Sequence, residues 1–119
     1  MDKLLFIVTH ATDDTERATV PFVLGTTALV SDIDATILLQ MEGAWLAKKG
    51  QAQLVNDPAF PPLADLMAKF QESGGRIMVC GPCAKKRGLV LEDLADGITI
   101  VNAPTIVKEI GEARSVLVY

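Results

Sequence analysis

The only two cysteines of the chain, Cys80 and Cys83, lie three positions apart in the segment RIMVCGPCAKKRG, which runs from Arg76 to Gly88. Thiols this close can exchange with a disulfide, carry a sulfur atom or share a metal, and only the thiolate form is nucleophilic. Ile77, Met78 and Val79 form a short apolar run after Gly74-Gly75, the pattern of a buried strand. Pro82 suits the first position of a helix, because the N–H it lacks would have had no intrahelical partner. The free amides of that first turn, Gly81 among them, then point at a cysteine sulfur. Lys85, Lys86 and Arg87 add positive charge within a few residues. Both effects favour the thiolate. The spacing predicts a reactive cysteine site with Cys80 and Cys83 as its thiols.

The elements that must hold this segment follow from hydrophobic periodicity. Lys3–Thr9 reads as a buried strand, with His10-Ala11-Thr12-Asp13-Asp14 as the loop at its carboxyl end. Asp14 or Thr15 is placed to cap a helix beginning near Glu16, and Pro21 inside it predicts a late start or a bend. Asp34–Met41 is a second strand followed by Glu42-Gly43. Ala44–Asp57 is less regular: a short helical turn, a mobile loop around Lys48-Lys49-Gly50, and Trp45 packed on the core or across an interface. Leu63–Glu72 is an amphipathic helix after a proline-rich connector, and Gly74-Gly75 ends it. Beyond Gly88, Leu91–Ala95 reads as a short helix, Ile98–Val101 as a strand, Pro104–Ala113 as a helix and Ser115–Tyr119 as a last strand.

Strands alternating with helices predict an α/β fold of flavodoxin-like type: one domain over residues 1–119, a mainly parallel five-stranded sheet, helices on both faces. Ligands of such sheets gather beyond the carboxyl ends of the strands. His10, Glu42 and Cys80 all fall there. His10 is placed either as a base or proton donor near the thiol or as a cap of its turn, while Glu42 reads as a solvent or interface carboxylate. A carboxylate beside Cys80 would oppose thiolate formation.

Half of the residues are hydrophobic and mean hydropathy is +0.32, which is apolar for a chain of 119 residues. A domain of this size buries roughly two thirds of its unfolded surface. The excess points to a parallel sheet covered on both faces or, the favoured reading, to a subunit interface. The net charge of −4 argues against a nucleic-acid partner. No apolar stretch reaches the roughly 18 residues of a membrane span. The start lacks a signal-peptide layout, so a cytoplasmic, reducing location is expected, where a close cysteine pair is catalytic, redox-active or metal-binding rather than a staple.

Cys-Gly-Pro-Cys also matches the redox tetrapeptide of thioredoxin. Here, however, Val79 precedes it and Gly88 soon ends the following helix, and the chain beyond lacks the later block of that fold. Dithiol chemistry on another fold stays open. Zinc needs three or four ligands, and two cysteines with the single histidine do not complete a site in one chain. The first strand–helix turn has neither GxGxxG nor P-loop spacing, so no nucleotide or flavin is expected. No cofactor and no resident metal are therefore expected.

The segments THATDDTERAT, ATILLQMEGAWLAKKG and GGRIMVCGPCAKKRGL resemble the DsrE/DsrF-like family, with its TusD and YchN types. The resemblance spans nearly the whole chain, and its most specific part is the cysteine, the helix start and Arg87-Gly88. It implies a flavodoxin-like fold assembled as a trimer or hexamer. It also implies a sulfur carrier or sulfurtransferase that receives a persulfide from a donor protein and passes it to an acceptor. Cys80, eight residues before Gly88, matches the TusD-type cysteine, while Cys83 is nearer the YchN-type position. Having both departs from single-cysteine carriers. On this reading Cys80, Cys83 and His10 are catalytic, and Gly81, Lys85 and Arg87 stabilise the anion. The alternatives are a small dithiol oxidoreductase cycling Cys80–Cys83 and a non-catalytic oligomeric binding module.

Overall fold

In a computed structural model that describes residues 2–119, the chain forms five strands and four α-helices in alternation. β1 (Lys3–Val8) leads to α1 (Thr15–Val30), then β2 (Asp34–Leu39), α2 (Leu63–Glu72), β3 (Arg76–Cys80), α3 (Gly81–Lys86), β4 (Ile98–Val101), α4 (Ala103–Glu112) and β5 (Ser115–Val118). All four strand pairings are parallel and the order across the sheet is β4-β3-β2-β1-β5. A flavodoxin has the order 2-1-3-4-5. Here the chain steps outward from β1 to β4 without reversing, then returns in one crossover to set β5 on the far side of β1.

That path decides what covers each face. Phe6, Val8, Ile37, Leu39, Ile77 and Val79 point to one side and meet Phe22 of α1 with Leu63, Met67 and Phe70 of α2. Phe22 and Phe70 pack edge to face with ring centroids 5.9 Å apart. The opposite side carries Leu5, Ile7, Leu38, Met78 and Cys80, and its helical cover is Ile106 of α4. Among the described residues, the sheet is thus buried by several helices on one face and by a single ten-residue helix on the other. This accounts for part of the high apolar content: both faces consume hydrophobic residues.

α1 begins as expected, with Asp14 accepting from the Arg17 backbone N–H at 3.1 Å. It runs unbroken through Pro21 rather than starting late. Pro21 itself is buried, and packing against the sheet holds the helix across the missing bond. The loop expected to be mobile is tied down: Lys48 bridges Leu94, and the Lys49 N–H donates to the Asp93 carbonyl at 2.8 Å. Two 3-10 helices, Met41–Ala47 and Ala52–Leu54, occupy the irregular stretch. Trp45 is half-buried against the core. The short helix expected at Leu91–Ala95 is a 3-10 turn, Leu91–Asp93.

α4 is fastened by charge as well as by Ile106. Glu109, buried beneath it, pairs with Arg76 of β3 at 3.1 Å and reaches Lys3 of β1 at 4.0 Å. Arg76 also donates to Thr36 at 2.9 Å. These contacts lie at the amino ends of the strands, away from the cysteines.

A candidate sulfur site at the carboxyl edge of the sheet

β3 ends on Cys80, which serves as the N-cap residue of α3 in extended conformation. Its side chain continues the row of Arg76 and Met78 and so lies on the α4 face, in contact with the cluster around Ile106. Cys80 is 7 % exposed, whereas Cys83, one turn into α3, is half-buried; both are free thiols. The strand periodicity that makes Cys80 the last residue of β3 is what hides it.

Burial reverses the expected ionisation of Cys80. Loss of solvent pushes the thiol above its ordinary value of 9.0, and the neighbouring Cys83 thiol adds to the rise. The Cys83 backbone N–H and the Gln40 side chain pull the other way without overcoming it. α3 has only six residues, so its aligned peptide dipoles are few. The lowered pKa expected from helix placement is therefore not found at Cys80, because sequence position gave the helix start but not the depth of the strand end.

Arg87 and Gly81 hold the segment in place. Arg87 donates to the Cys83 carbonyl at 3.1 Å and to Glu42 Oε1 at 2.9 Å, so its guanidinium spans from α3 to the 3-10 helix after β2. Its Nε is buried without a partner among the described residues. Glu42 is exposed, as expected of a solvent carboxylate, and its charge is committed to Arg87. A Cβ on Gly81 would stand 2.5 Å from Asn102 Oδ1 and 3.3 Å from the Val101 carbonyl, so the turn after β3 closes against the end of β4. Gly43 does the same across β1: a Cβ there would overlap the Val8 carbonyl oxygen. Lys85 and Lys86 are exposed in the last turn of α3.

His10 lies in the loop after β1, two strands from Cys80 in the sheet order. Its Nδ1 meets Asp13 Oδ2 at 2.7 Å, and Asp13 Oδ1 accepts from the Ala11 N–H at 2.7 Å. Partial burial works against the Asp13 charge, yet these two hydrogen bonds hold the carboxyl below its ordinary range. A carboxylate on Nδ1 leaves Nε2 as the nitrogen turned to other chemistry. Sequence reasoning placed His10 on the correct rim but missed Asp13, although an acid three residues away in a turn was there to be read. Gln40 was missed as well.

The chain matches the DsrE/DsrF-like family across residues 2–119. It belongs to that family. Similar proteins include an uncharacterised protein of Methanocaldococcus jannaschii, 38 % identical over 108 residues. The match takes in 91 % of this chain but 39 % of that longer protein, so the chain spans well under half of it. A second uncharacterised protein of the same organism is 32 % identical, with 98 % of this chain and 99 % of the relative aligned. One from Methanopyrus kandleri is 30 % identical, covering 100 % and 95 %. Among solved structures, the YchN protein of E. coli superposes with a TM-score of 0.77, and a protein of unknown function from Methanobacterium thermoautotrophicum with 0.73. Each covers both chains completely at 15 % identity, which establishes the shared α/β fold. Among the described residues, no helix is long and apolar enough to cross a membrane.

Proposed function

We propose that the protein is a sulfur carrier of the sulfurtransferase type, which accepts sulfane sulfur as a cysteine persulfide and passes it on. The observation that carries this reading is the pair of free thiols at the carboxyl end of β3, one half-exposed and one buried beside it. Cys83 is the thiol that a docking donor can reach. Its sulfur attacks the outer sulfur of a donor persulfide, R–S–SH; that S–S bond breaks, Cys83–S–SH forms, and the donor leaves as R–SH with the proton given up by Cys83. Delivery to an acceptor reverses the same bookkeeping. His10, with Nδ1 held by Asp13, stands on the same rim two strands away and is proposed to exchange that proton through intervening water. Gly81 allows the tight turn, Arg87 braces the Cys83 carbonyl, and Lys85 offers positive charge to the persulfide anion and to donor and acceptor proteins.

A homo-oligomer, trimer or hexamer, is part of the proposal. α4 and β5 expose Val107, Ile110, Val116 and Val118, an apolar surface on the thinly covered side of the sheet. A cytoplasmic location suits thiols that must stay reduced between cycles.

The reduced protein, treated with a polysulfide and weighed intact, should gain about 32 Da for one sulfur on a thiol. Peptide analysis should place it on Cys83, and Cys83→Ser should prevent it. Absence of any adduct with every donor would end this reading.

The nearness of the two sulfurs supports a second outcome, the dithiol reading. Cys80 attacks the inner sulfur of Cys83–S–SH, hydrogen sulfide leaves with both protons, and a Cys80–Cys83 disulfide remains. A loss of about 2 Da in place of the gain distinguishes it.

A further inference from the structure

The strand register places a residue beside Cys80 that no motif marks. The last β2–β3 pair is Leu39 with Val79, and β3 continues one residue further to Cys80. On the β2 side the next residue is Gln40. Its backbone is still extended, at φ −130 and ψ 161, and its N–H donates to the Val8 carbonyl at 3.0 Å, so β2 stays joined to β1 through this position. Alternation along an extended strand then puts the Gln40 side chain on the same face as Leu38, as Cys80 shares the face of Met78. Neighbouring strands are about 4.8 Å apart, within side-chain reach. The chain leaves at once: Met41 takes a left-handed φ of 52, and Gly43 packs against the Val8 carbonyl. The sharp exit turns the following 3-10 helix away and leaves Gln40 beside Cys80 in the register, on the face that α4 covers.

We infer that Gln40 is a positioning residue for sulfur chemistry at this site, its side-chain amide donating to the Cys80 sulfur and supporting negative charge on it. Cys80 lies in an apolar row with Leu38, Met78 and Ile106 around it. A neutral donor suits such a place, because a buried cation would need its own partner. Gln40 thus gives the buried thiol a route to act as the second nucleophile, which exposure alone favours at Cys83. This bears on the sulfur-carrier reading but is tested without a sulfur donor.

The test is the pH profile of alkylation, resolved by peptide mass spectrometry for each cysteine in the intact reduced protein. In Gln40→Met, similar in size but without the donor, the midpoint for Cys80 should rise by about one pH unit, as for loss of a hydrogen bond to a charged group. Gln40→Glu should raise it further, since a carboxylate repels the thiolate. The Cys83 profile should not move in either variant. An unchanged Cys80 midpoint in Gln40→Met overturns the inference, and so does an equal shift at both cysteines, which marks general loosening. If Gln40→Met does not fold, Gln40→Leu, which also lacks the donor, decides by the same two criteria. Persulfide loading measured on the same samples separates the claims: a wild-type chain that takes no sulfur but shows the Gln40 effect fails the function and keeps the inference, and the converse fails only the inference.

Discussion

Arg87 and Glu42, 45 residues apart in sequence, join the cysteine helix to the turn after β2 through a 2.9 Å ion pair. The same guanidinium caps the Cys83 carbonyl. Arg87 is thereby committed on two sides, and on the proposed reading a sulfur anion at Cys83 would share its charge with a carboxylate. Glu42→Gln keeps an acceptor but removes the competing charge. Persulfide loading on Cys83 should rise a few-fold in this variant, about the effect of freeing one partly screened charge. Loading equal to wild type would show that Arg87 only braces α3.

Removing the brace itself has a structural readout. Arg87→Ala leaves the Cys83 carbonyl and Glu42 without their donor, at a cost of about 1–2 kcal/mol. For a domain of this size that lowers Tm by roughly 3–8 °C. Amide exchange should quicken most in α3. A uniform change across the chain would contradict the local role.

Exposure orders the two thiols. Cys80 is 7 % exposed and its thiol is pushed up by burial, so iodoacetamide at neutral pH should label Cys83 first and Cys80 at least about tenfold more slowly. Equal rates would mean that α3 opens readily in solution.

Ile106 is the side chain of α4 that closes over the Cys80 cluster. Ile106→Ala should cost about 2–4 kcal/mol and speed Cys80 labelling with little change at Cys83. Glu109→Gln, at the other end of the α4 contact, tests whether the helix moves as a unit. Its partner Arg76 is half exposed, so the stability loss should be nearer about 1–2 kcal/mol after solvent screening. Cys80 labelling that responds to Ile106→Ala alone would show that α4 stays docked when its ion pair is lost.

The raised thiol also fixes a pH dependence. Between its unfolded and folded pKa the native state holds a proton that the unfolded chain has lost, so stability is complete below the unfolded value and falls as pH rises through the folded one. The decline should begin near pH 9, with a slope of up to about 1.4 kcal/mol per unit. Denaturation midpoints from pH 8 to 10.5 should show it in the wild type, and Cys80→Ala should flatten this part of the curve. A Cys80→Ala curve parallel to wild type would assign the decline to other groups.

Periodicity and punctuation in the sequence determined the elements: all five strands, the helix Leu63–Glu72 to its ends, and the Cys-Gly-Pro-Cys segment at a strand–helix junction are local features. The His10–Asp13 pair is equally local, three residues within one turn, and needed only the question of what holds the imidazole. Strand order was not legible in this way, because apolar alternation reports that a strand is buried and not which strand lies beside it. Only the folded chain put β5 next to β1, sent α4 alone across the second face, and so turned Cys80 into a covered thiol with a raised pKa. The partners of Arg87 and Cys80 were likewise decided by tertiary structure: Glu42 and Gln40 stand some forty residues away along the chain, and only sheet register brings them within reach.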